Sequence, residues 1–105
     1  MIKADAQPGD ALFKLAGYLL SGERTAKDRA KWLSKHERDT RFAQVFDRRR
    51  ADGDPDLQRY GPRLSVERKA TLVEALFWYR FRDRVLREDA TEALADLLRS
   101  TGIEP

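Results

Sequence analysis

A chain of 105 residues, 41% hydrophobic and 37% charged, has material for one domain with a single modest core inside an unusually ionic surface. The absence of cysteine excludes a disulfide framework and any thiolate metal site, so the fold rests on packing alone. No apolar run approaches the roughly 20 residues a membrane span needs. The first twenty residues lack a clean signal peptide, because the apolar run is short and broken by Lys14. A soluble, cytoplasmic protein without a membrane partner is the expectation.

Helical spacing dominates the chain, with no alternating strand pattern and no internal repeat. Pro8 and Gly9 mark residues 1–9 as a loose lead-in, and Asp10 is placed to cap a first helix. Its apolar positions, Leu12, Phe13, Leu15, Ala16, Leu19 and Leu20, recur at three and four, and Gly22 stops it. A second helix starts near Thr25, with Ala26, Ala30 and Leu33 on one face and Trp32 at its edge. The apolar pattern lapses over residues 34–39 and restarts at Phe42, Val45 and Phe46, which predicts a break and a third helix over 39–51.

Residues 51–65 hold two glycines and two prolines and read as a connecting loop. Ser65 then caps the longest helix, about residues 66–87. On a helical wheel Val66, Ala70, Val73, Phe77 and Phe81 form one apolar stripe, and Leu72, Ala75, Leu76, Tyr79 and Leu86 form another nearly opposite. A helix apolar on two faces belongs in the middle of a bundle. Trp78 and the neighbouring aromatics therefore read as core, with Arg80, Arg82 and Arg84 packing their stems along the borders. Asp89 and Glu92 form a capping-box signature for a last helix carrying Ala93, Leu94, Leu97 and Leu98, ended by Gly102 with Ile103 folded back over it. The predicted fold is all-α, a compact bundle of four or five helices around a central long helix at about 66–87, in one domain spanning 1–105.

Catalytic and metal chemistry find little support. Asp52, Asp54 and Asp56 alternate as in the first half of a calcium loop, but Leu57 stands where the turn glycine belongs and Arg63 where the closing glutamate belongs. His36 is the only histidine, and neither Ser34 nor Ser65 has an orienting partner or an oxyanion-binding turn. Neither a catalytic residue, a metal nor a cofactor is expected.

Charge carries the functional signal. The net charge of +3 is uneven, since residues 24–50 hold ten cationic side chains against four carboxylates. Lys27, Lys31, Lys35, Arg38, Arg41 and the run Arg48, Arg49, Arg50 are candidates to meet phosphates, and Trp32 to add a stacking surface. Intrahelical pairing of Asp28 with Lys31 and of Glu37 with Arg41 would reduce that field. A helix-turn-helix is disfavoured: the intervening turn has no glycine, and Lys35 and Thr40 fall where apolar anchors belong. Two readings follow. In one, a non-catalytic module contacts the backbone of DNA or RNA, or a ribonucleoprotein, through the basic 24–50 segment. In the other, a protein-interaction domain (an adaptor, a toxin-neutralising partner or a phage-encoded inhibitor) sets the same face against an acidic protein surface, with Trp32 or Trp78 as anchor. An exposed remnant of the Phe77 to Phe81 cluster would favour a homodimer.

Overall fold

The computed structural model describes residues 3–105 and, among these, holds six α-helices and no strand. They are α1 (Ala6–Leu20), α2 (Ala26–His36), α3 (Asp39–Ala51), the single turn α4 (Pro55–Gln58), α5 (Val66–Arg87) and α6 (Ala90–Ser100), with a 3-10 turn at Lys3–Asp5 ahead of them. The architecture is the all-α bundle around a long central helix. None of these helices is long and apolar enough to cross a membrane.

Four of the six helix N-termini are set by side chains that satisfy orphan backbone donors. Thr25 accepts from the Asp28 N–H at 3.1 Å, Ser65 from Arg68 at 3.1 Å, and Asp89 from Thr91 at 3.1 Å. The Glu92 side chain is turned toward Arg99, 3.1 Å away, so the box at this end is half built. Past α6, the Ile103 N–H donates to Leu98 and the Gly102 N–H to Arg99, with Gly102 at φ +85. That pattern is a Schellman cap, and Ile103 is buried over the last turn.

Two boundaries differ from the expectation. Helix α1 begins at Ala6, so residues 6–9 are helical rather than a lead-in, while Met1 and Ile2 lie outside the described residues. Pro8 falls in the first turn, where backbone N–H groups have no intrahelical acceptor and proline's missing donor costs nothing. Gly9 is there for contact: a β-carbon on it would lie 1.7 Å from the carbonyl oxygen of Glu74, at the crossing of α1 and α5. Asp10 is thus inside α1, where it pairs with Lys14 at 2.9 Å. The 51–65 connection is not all loop, because Asp54 caps α4 by accepting from the Asp56 N–H and Pro55 occupies its first turn.

The core is built on α5. Phe13, Phe42 and Phe77 from three helices form an aromatic triad with ring centroids 5.1 to 5.7 Å apart, mixing stacked and edge-to-face geometry. Phe77 and Phe81 are both buried, which leaves Tyr79 as the exposed member of that cluster. The second stripe is covered at Leu72, Ala75 and Leu76, whereas Tyr79 and Leu86 face outward. Along the border of the stripes Lys69 meets Asp47 at 2.7 Å, and Arg80 bridges Asp54 and Asp56. Burial alone would raise Asp54, but the Arg80 hydrogen bond and the Arg80 and Arg49 charges hold it below its ordinary value. The acidic loop thereby staples α4 onto α5.

Candidate polyanion-binding face

Helix α2 is seated chiefly on α1 and has no fully buried side chain. Trp32 and Leu33 pack against the edge of the core, and Trp32 stacks on Phe13 at 5.8 Å with an interplanar angle of 27°. Gly17 makes room for it, since a β-carbon there would stand 2.4 Å from the indole Cζ3. His36 lies against it as well, its ring 4.6 Å from that of Trp32 and tilted by 47°. Burial, then the charges of Arg41 and Lys35, hold His36 below its ordinary pKa. Half-buried rather than a surface histidine, it belongs to the seat of α2.

Lys27, Lys31 and Lys35 share a solvent-facing side of the same helix. Their spacing of four residues puts successive ammonium groups on one row, about 6 Å apart along the axis. All three are exposed, and none forms an ion pair among the described residues. Asp28 does not pair with Lys31, and Glu37 turns to Lys14 at 3.5 Å instead of to Arg41. Neither expected intrahelical pair therefore discharges the row. Arg38 continues it past the helix end, with its Nε donating to the Ser34 carbonyl at 2.6 Å and no carboxylate partner.

The cations of α3 are used differently. Arg41 donates to the Thr101 carbonyl at 3.1 Å, Arg49 to the Ser100 carbonyl at 3.3 Å, and the Arg48 guanidinium stands over Gly102. These three converge on the C-terminus of α6, where unsatisfied carbonyls and the negative end of the helix dipole favour cations. Arg49 also pairs with Asp54 at 3.1 Å, and Arg50 donates to the Tyr60 carbonyl at 2.7 Å. Of the predicted contact residues, Lys27, Lys31 and Lys35 thus share a face, and Arg38 is exposed just past the end of the helix. Arg41, Arg49 and Arg50 hold the fold, and Arg48 is exposed but apart from the row.

Trp32 is a partly buried packing residue, stacked on Phe13 and in contact with His36. Its rim joins Glu23, Asp28, Lys31, Lys35 and His36 around a shallow cavity of about 230 Å³ beside the row.

One group of side chains escaped the sequence reading. Asp10 and Lys14 of α1, Glu37 after α2, Asp39 at the start of α3 and Glu74 of α5 meet where these helices join. Burial, then the charges of Asp10, Asp39 and Glu37, push Glu74 up to about 7, with Lys14 opposing. The five positions come from four separate elements, so no local spacing announces them.

Compared with known proteins, the chain matches no family model, no curated protein and no solved structure.

Proposed function

We propose that this protein is a non-catalytic binding module that holds the phosphate backbone of a nucleic acid, free or within a ribonucleoprotein, on the outer face of α2. The observation that carries this reading is the row of Lys27, Lys31 and Lys35, exposed and without carboxylate partners among the described residues. Each ammonium can meet one phosphate oxygen and release a condensed counterion, and Arg38 adds a fourth contact at the end of the row. Recognition of this kind is indifferent to base sequence. With three or four phosphates engaged, affinity falls roughly a hundredfold between 50 and 200 mM salt.

Fluorescence anisotropy with labelled single- and double-stranded oligonucleotides tests the reading. Wild-type protein binds at 50 mM salt with micromolar affinity or better, and Lys27→Glu/Lys31→Glu/Lys35→Glu removes that binding while the variant remains helical. Undetectable binding by the wild type at 50 mM salt rejects the proposal.

A second reading, a protein partner with an acidic surface, is favoured by one observation. Leu15, Tyr18 and Leu19 stand 40 to 63% exposed on α1, although that helix neighbours α2. These exposed side chains would anchor such a partner.

A further inference from the structure

At the C-terminal end of α2, four carboxyl groups face one ammonium group. The Lys14 Nζ is 2.9 Å from Asp10 and 3.5 Å from Glu37, and Asp39 and Glu74 complete the cluster from α3 and α5. Asp10 and Glu37 thus converge on one ammonium group, which brings the two carboxyl groups together. Two carboxylates drawn together in this way repel each other unless one carries a proton, so a proton on one of them favours this contact between α1 and the end of α2. The cations beside it do not relieve the crowding: Arg38 is bonded to the Ser34 carbonyl, Arg41 to the Thr101 carbonyl, and Lys35 is in the exposed row. His36, the remaining titratable neighbour, is turned onto Trp32.

On its inner side this half of the helix is seated by Trp32, Leu33 and His36. An open cavity of about 290 Å³ lined by Lys14, Ala30, Leu33, Ser34 and Glu37 separates α2 from α1 here. The carbonyl end of a helix also disfavours an anionic Glu37.

We propose that Glu37 and Asp10 form a proton-operated latch for α2. In the closed form the carboxylic O–H of Glu37 donates to the Asp10 carboxylate, and Lys14 binds both. When that proton leaves for solvent, Lys14 faces four carboxylates, the contact becomes repulsive, and α2 loosens from α1 with its lysine row. Burial, then the Asp10 contact, pushes Glu37 up to about 7, and Glu74 sits at about 7 as well, which puts the change in the neutral range. The latch concerns how α2 is held and stands independently of what α2 binds.

Hydrogen exchange of the α2 amides, corrected for the intrinsic pH dependence of exchange, tests the latch without any ligand. Between pH 5.5 and 8.5, protection at residues 29–36 falls tenfold or more in the wild type while that of the α5 core holds. Glu37→Gln keeps a donor for Asp10 at every pH, and Asp10→Asn supplies one to an ionised Glu37. Each retains α2 protection at pH 8.5. Wild-type protection that does not change across this range overturns the proposal, as does an equal loss in both variants.

Discussion

The indole of Trp32 lies over Gly17 with no room for a side chain between them, a β-carbon at Gly17 standing 2.4 Å from Cζ3. This one contact seats α2 on α1 through its tryptophan, and it partly buries the aromatic of the basic segment. A second glycine of α1, Gly9, makes a different kind of approach, to the backbone of Glu74.

The two glycines predict different costs. Gly17→Ala pushes a side chain that can move with a peripheral helix, so it costs about 1 to 2 kcal/mol and red-shifts Trp32 emission in a Trp78→Phe background. Gly9→Ala meets a carbonyl 1.7 Å away. The long helices must then separate, at about 3 kcal/mol or more. Denaturant unfolding of both variants, followed by far-UV circular dichroism, measures the difference.

The acidic cluster sets the pH dependence of stability. Glu37 and Glu74 are each raised from 4.5 to about 7, so the folded protein binds more protons than the unfolded chain between these values. Their stabilising contribution is complete below about 4.5 and is lost as pH rises through 7. Asp54, held below its ordinary 3.8, acts in the opposite sense and loses its contribution in more acidic solution. Thermal unfolding is therefore expected to peak at mildly acidic pH and to decline toward pH 8. Glu74→Gln flattens that decline and raises the midpoint at pH 8 by about 5 °C over the wild type.

Arg80 neutralises Asp54, whose side chain is only 4% exposed. Replacing Arg80 with Ala leaves Asp54 to Arg49 alone and costs about 2 to 3 kcal/mol, less than for a fully buried pair because Arg80 is itself partly in solvent. The loss appears in urea unfolding at pH 7 and is smaller for Arg80→Ala combined with Asp54→Asn, which removes both charges together.

The two halves of the basic segment separate by their effect on stability. Reversal of Arg48, Arg49 and Arg50 to Glu strips the contacts to Ser100, Tyr60 and Asp54, and lowers the unfolding midpoint by about 10 °C or more. Reversal of Lys27, Lys31 and Lys35 touches no partner in the fold and moves it by no more than about 3 °C. Differential scanning fluorimetry of the two triple variants at pH 6 gives the comparison.

Much of the fold was legible because caps and glycines act locally. Thr25, Ser65 and Asp89 each bond within three residues, and Gly22 and Gly102 have the positive φ expected of helix stops. The start of α1 misled because a Pro-Gly pair marks a turn in isolation, whereas here proline is spent in a first turn and glycine on a helix crossing. The lysine row was legible for a similar reason, since residues four apart on a helix share a face wherever it packs. The fate of the arginines was not. Arg41 binds a carbonyl 60 residues away and Arg49 one 51 residues away, so only the docking of α6 shows that they serve the fold.

The most direct test of the central claim is the slope of log Kd against log salt for a generic oligonucleotide, measured for the wild type and for Lys31→Ala. If α2 holds one phosphate per lysine, the wild-type slope corresponds to three or four released counterions, and the magnitude of the variant's slope is smaller by about 0.7 to 0.9 without altered sequence preference. A slope near zero, or one that Lys31→Ala leaves unchanged, contradicts a phosphate-binding row on α2.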